Sequence, residues 1–188
     1  MTETKFRSGF VAIIGRPNVG KSTLLNHIVG QKIAITSPKP QTTRNRILGI
    51  QNLDHAQVLY VDTPGIHEAR SPLNRYMVDQ ARAACLDVDV VLWLVEADRP
   101  VDTDPMIPRL LEKGDSPVLL VINTIDTIPR DRLLPMIDAY SKICPFASII
   151  PISALKGDGV DRLMDEIPTL LPEGPRYYPE DQLTDVPE

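Results

Sequence analysis

Aromatic side chains are scarce in this chain of 188 residues: three Phe, five Tyr and one Trp. Cysteine is scarcer still. Cys85 and Cys144 are far apart, and neither sits in a metal-ligand spacing. That excludes a disulfide framework and a zinc module, and it fits free thiols in a reducing compartment. Long hydrophobic runs are also missing. The apolar stretch at 88–95 falls far short of the roughly 20 residues that cross a bilayer. The first ten residues lack the apolar core of a signal peptide. A cytoplasmic protein is expected. The net charge of −5 excludes a domain that coats nucleic acid by charge alone. One local absence points the other way. Residues 4–53 contain eight Lys or Arg and no Asp or Glu, whereas 54–188 hold 24 acidic and 12 basic side chains. A basic quarter on an acidic chain suggests a local anionic ligand.

The length fits one domain, with a core burying about 70% of the unfolded surface. Strand-like apolar runs at 10–14, 47–53, 57–61, 88–95, 118–122 and 148–152 alternate with helix-like stretches at 21–29, 74–86, 106–113, 132–143 and 160–171. The short gap at 54–56 reads as a hairpin. Repeated βα units with one hairpin predict a three-layer α/β domain, residues 1–171, with a six-stranded, mostly parallel sheet and one antiparallel strand. Asp158 is the expected N-cap of the last helix. Residues 172–188 are acidic and proline-rich and read as a linker or tail. Trp93 is expected in the core. Tyr177 and Tyr178 are expected on the domain surface or exposed.

The segment Gly15-Arg16-Pro17-Asn18-Val19-Gly20-Lys21-Ser22, followed by Thr23, matches G-x-x-x-x-G-K-[ST] between a strand and a helix. Glycines let backbone N–H groups wrap an anion, and the helix N-terminus adds its positive dipole end. Lys21 can reach the β- and γ-phosphates, and Ser22 can offer its hydroxyl to Mg²⁺. At the end of the third run stands Asp62-Thr63-Pro64-Gly65. Asp62 is placed to hold Mg²⁺, and Gly65 to present its N–H to a γ-phosphate. After the fifth run comes Asn123-Thr124-Ile125-Asp126. A carboxylate there accepts both the N1–H and the 2-amino group of guanine, a donor pair that adenine lacks. Ser153-Ala154-Leu155 follows the last strand, and its backbone N–H groups are candidate donors to guanine O6.

In this order, the motifs resemble those of the translation-factor-related GTPases. Finer features, namely GRPNVGKS, Gln41-Thr42-Thr43-Arg44 and the ending PEGPRYYPEDQLTD, are similar to the Era family of bacterial ribosome-assembly GTPases. The resemblance implies a P-loop GTPase domain that binds GTP and GDP with Mg²⁺ and hydrolyses GTP. It implies a switch in small ribosomal subunit assembly, with ribosomal RNA held mainly by a C-terminal KH domain that this chain lacks. A monomer is expected, and the resemblance leaves room for peripheral membrane association. It also implies a switch I threonine on Mg²⁺, Thr42 or Thr43, the alignment favouring Thr43. Asn18 would help hold a K⁺ acting like an arginine finger, so that Lys21, Thr43, Gly65 and Asn18 carry the chemistry. Two features depart from the pattern. Ile66 stands where small signalling GTPases carry a water-orienting glutamine, so turnover alone should be slow. Thr124 replaces the lysine of NKxD, which should lower affinity without changing base preference. The competing readings are a sibling ribosome-assembly or tRNA-modification GTPase, and a nucleotide-gated binding module with negligible turnover.

Overall fold

The computed structural model describes residues 5–30, 46–62, 73–84, 87–101 and 105–180. Six strands form one sheet: β1 (Arg7–Gly15), β2 (Arg46–Asn52), β3 (Ala56–Asp62), β4 (Val90–Glu96), β5 (Val118–Asn123) and β6 (Ser148–Pro151). Their order is β2-β3-β1-β4-β5-β6. Only β2 runs antiparallel to its neighbour, and all other pairs are parallel. The expected architecture is therefore present.

Among the described residues, five α-helices cover the sheet: α1 (Lys21–Val29), α2 (Leu73–Ala84), α3 (Met106–Glu112), α4 (Leu133–Ser141) and α5 (Val160–Leu170). Strand periodicity decides which side chain meets which helix. Val11, Ile13, Leu92, Leu94, Leu119 and Val121 pack with α1 and α5, through Leu24, Ile28, Leu163 and Ile167. Ala12, Ile14, Val91, Trp93, Leu120 and Ile122 face the other way and pack with Tyr76, Met77 and Ala81 of α2, Ile107 and Leu111 of α3, and Tyr140 of α4. With both faces covered, all six residues of β5 are buried, which is why that segment reads as an unbroken apolar run. Trp93 is in the core, as expected. Cys144 is buried and free, and burial together with Glu112 pushes its thiol up to about 11. Burial likewise raises the Tyr60 phenol, whose hydroxyl donates to Gln51 Oε1.

Two local expectations are corrected. Asp158 does not cap α5. The cap is Gly159, in the left-handed region at φ 75°, with no side-chain hydrogen bond. A Cβ at Gly159 would run into the Pro151 carbonyl oxygen, so only glycine allows the chain to pass so close to β6. The Asp158 carbonyl instead accepts the Ser153 N–H at 2.9 Å. The strand expected at 10–14 begins at Arg7, because Arg7, Ser8 and Gly9 pair with Ala56, Gln57 and Val58 although they are not strongly apolar.

The described part of the polar ending, through Glu180, lies on the domain rather than running free. The Ser8 N–H donates to the Pro172 carbonyl and the Gly174 N–H to that of Phe6. The fully buried Gln57 amide accepts from the Tyr177 and Tyr178 N–H groups at 2.8 and 3.1 Å and donates to the Tyr178 carbonyl at 2.8 Å. The Tyr177 ring sits 5.0 Å from that of Phe10.

Candidate functional site

β1 ends at Gly15 and α1 begins at Lys21, so the P-loop motif spans the turn between them. Asn18 and Gly20 have left-handed backbones, at φ 62° and 104°. A Cβ on Gly20 would collide with Asn123 Nδ2, so this glycine is required by close approach as well as by φ. No side chain caps α1, and its first turn has no acid. The helix N-terminus therefore keeps its N–H groups and positive dipole end for an anion. Pro17 and Asn18 are exposed at the crest of the loop, Val19 is buried beneath it, and Ser22 and Thr23 are exposed on the first turn.

Lys21 bends back over the loop. Its Nζ donates to the Gly15 carbonyl and to the Tyr76 hydroxyl, both at 3.3 Å. The ammonium lies 5.7 Å from the centre of the Tyr76 ring. The Gly15 N–H donates to Gln80 Oε1 at 2.9 Å in a buried bond. Helix α2 thus grips the P-loop at two points four residues apart. Neither residue was singled out in the sequence. The available signal was a Tyr and a Gln at i, i+4 on the same face as Met77, Ala81 and Ala84, where a glutamine needs a partner.

Asn123, at the end of β5, joins two motifs. Its Nδ2 donates to the Val19 carbonyl and its Oδ1 accepts the Ala154 N–H, each at 2.9 Å. Asn123 is 4% exposed, so its side chain works as a brace between the two loops. Thr124 is left-handed at φ 64°, with its hydroxyl donating to the Asn123 carbonyl at 2.6 Å and accepting from the Ala97 N–H at 3.3 Å. At the position where the resemblance expects lysine, these two bonds tie Thr124 to the ends of β4 and β5. Asp126 stands on a 3₁₀ turn, Ile125–Thr127, that is tied to the Ile152 carbonyl by the Ile125 N–H. Its carboxylate is 3.8 Å from Lys156 Nζ, a neighbour the sequence reading did not name.

The third expected donor group is narrower than its tripeptide. The Ser153 N–H goes to the Asp158 carbonyl and the Ala154 N–H to Asn123 Oδ1. Buried protein acceptors therefore occupy both. Leu155, 78% exposed, carries the remaining N–H of the three. Asp62 closes β3, but its side chain, with Thr42, Thr43, Gly65 and Ile66, lies outside the described residues. Arg16 and Val19 also line a cavity of about 350 Å³, with Trp93, Glu96, Arg99 and Tyr140. Its lining includes none of Lys21, Asn123 or Asp126, so it is distinct from the site those residues form.

An uncapped helix N-terminus with a lysine bent back over the loop, at the carboxyl end of a parallel sheet beside a carboxylate on the next loop but one, defines a P-loop nucleotide-binding domain of the GTPase class. A family model described as "50S ribosome-binding GTPase" matches residues 10–124, and the chain belongs to that family. Over its whole length it is 59% identical to the GTPase Era of Geotalea uraniireducens, of which it covers 64%. Among solved structures, a variant of Aquifex aeolicus Era bound to GDP·AlF4⁻ is 43% identical with a TM-score of 0.73, over 97% of this chain and 63% of that one. An Era complex with MgGDPNP and nucleotides 1506–1542 of 16S ribosomal RNA is 42% identical with a TM-score of 0.72, over the same shares. This chain thus spans slightly under two thirds of the length of these relatives. Among its described residues, no helix is long and apolar enough to cross a membrane.

Proposed function

We propose that this chain binds GTP and GDP with Mg²⁺, hydrolyses GTP slowly on its own, and serves as a nucleotide switch in small ribosomal subunit assembly. The observation that carries the reading is Asn123. One buried side chain locks the P-loop to the loop after β6 and so places the phosphate end and the base end in a fixed relation. The relatives named GTPase Era, and the Era complex with a nucleotide and a 16S ribosomal RNA fragment, support the wider role.

In this reading the α1 N-terminus and Lys21 hold the β- and γ-phosphates. Asp126 accepts the N1–H and 2-amino donors of guanine, and the Leu155 N–H donates to O6. Ser22, Thr43 and Asp62 offer Mg²⁺ hydroxyl and carboxylate oxygens, the donor type that ion takes, and Gly65 presents its N–H to the γ-phosphate. When bound, the ion neutralises charge developing on the transferred phosphoryl group. The chain works as a cytoplasmic monomer, with ribosomal RNA as partner of the longer protein; the family's peripheral membrane association belongs to the same wider role. The left-handed, exposed Asn18 is suited to share a K⁺, and a hydrolysis rate equal in Na⁺ and K⁺ would remove that ion from the mechanism. The main test is titration with GDP, GTP and ATP. Asp126→Asn is expected to lose guanine preference by about 100-fold or more, because an unpaired buried donor is costly. Unchanged preference would overturn the assignment.

A further inference from the structure

We propose that Lys156 is a positioning residue for base choice: its ammonium holds the Asp126 carboxylate in the orientation that guanine requires. The inference rests on the guanine-nucleotide reading above and deepens it. The turn that carries Asp126 is fixed through its backbone. The Ile125 N–H donates to the Ile152 carbonyl at 3.2 Å, and the Thr127 N–H and hydroxyl both donate to the Thr124 carbonyl, at 3.0 and 2.8 Å. None of those bonds reaches the carboxylate. Among the described residues, the group that meets it is the Lys156 ammonium, 3.8 Å from Oδ2. Thr124, two residues before, does not share the task, since its hydroxyl is committed to the Asn123 carbonyl and the Ala97 N–H.

Lys156 is presented from a loop that is itself tied down. Its N–H donates to Ser153 Oγ at 3.2 Å, the Gly157 N–H to the Ser153 carbonyl at 2.7 Å, and the Ala154 N–H to Asn123 Oδ1 at 2.9 Å. Gly157 is left-handed at φ 84°, and a Cβ there would run into the His27 ring, so the loop lies close against α1. The ion pair is uneven: the Asp126 side chain is 17% exposed and that of Lys156 59%. The ammonium stays largely in water, whereas the carboxylate is mostly covered and gains most from a partner. A carboxylate has two oxygens and about four lone-pair sites. The N1–H and 2-amino donors of guanine take one site on each oxygen, which leaves a second site on Oδ2 for Lys156. The pair therefore persists with guanine bound. Adenine carries a ring-nitrogen lone pair where guanine has N1–H, so a carboxylate held in place repels it. One lysine favours the first base and disfavours the second.

The substitution Lys156→Met tests this, because it removes the charge and keeps most of the apolar stem. GDP affinity would be measured by titration in two backgrounds, this chain and its Asp126→Ala variant. With Asp126 present, the expected loss is about 3- to 5-fold, the upper range for a partly exposed pair. With Asp126 gone there is no carboxylate to hold, and the same substitution should change GDP affinity by less than about 1.5-fold. Lys156→Arg restores a cation and should recover most of the loss. A loss of equal size in both backgrounds would mean that Lys156 acts by general attraction or through the loop, and would overturn the proposal. No loss in either background would also overturn it, as would tighter GDP binding by Lys156→Met, since the lysine would then be a competitor of the base. Wild type that is folded and binds neither guanine nucleotide would instead overturn the functional reading beneath it.

Discussion

At the amino ends of β1 and β3, the Gln57 amide makes four hydrogen bonds to its own chain, with Tyr177, Tyr178 and Asn52. At the carboxyl ends of β1 and β5, Gln80 and Asn123 also bond to backbone, but each holds a loop whose outward groups stay available. The buried amides are alike in chemistry and opposite in result. The Gln57 contact ties down a segment that ends the described chain. The Asn123 contact leaves the α1 N-terminus uncapped, and Asp126 stands on the neighbouring turn. Satisfying buried backbone groups with side chains is the general requirement. A binding site arises where that support stops one layer short of the surface.

The sharpest way to break this comparison is Asn123→Ala. It leaves the Val19 carbonyl and the Ala154 N–H without their partner in a buried setting, which costs about 3 kcal/mol of stability. Urea unfolding would measure that. If the same bonds set the distance between the proposed phosphate and base subsites, guanine-nucleotide affinity should fall by about 100-fold in the fraction that stays folded. A variant that is destabilised but binds normally would show that Asn123 holds up the fold without organising the site.

The motifs at residues 15–22 and 123–126 were legible as patterns, because nucleotide chemistry calls for fixed residue types at fixed spacing. The buried strands were legible for a similar reason, since covering both faces of β4 and β5 leaves continuous apolar runs. What escaped were contacts between distant segments. Tyr76 and Gln80 look like ordinary members of the packed face of α2, and their partners lie 55 and 65 residues away. The ending from Pro172 onward has the composition of a linker. It docks through backbone groups bonded to Gln57, about 120 residues earlier, which composition does not encode. Asp158 had the residue type of a cap, but the flanking glycines at φ 84° and 75° settled the turn before its side chain could act.

The smaller effect concerns the other end of the sheet. Gln57→Ala deletes all four amide bonds, yet Tyr177 and Tyr178 have a way out that Val19 and Ala154 lack. Tyr177 is 53% exposed, so the docked segment can peel off and its backbone groups can bond to water. That relief limits the cost to about 1–2 kcal/mol. The Tyr177 and Tyr178 amides should lose their exchange protection, and protease should cut between residues 172 and 180 before the rest of the chain. Nucleotide affinity should stay within about twofold, because Gln57 and Asp62 sit at opposite ends of β3, about 17 Å apart at strand rise. If GDP affinity instead drops fivefold or more, the two ends are not independent. The docked segment would then be part of the switch, with β3 as the element that carries its state to the phosphate end.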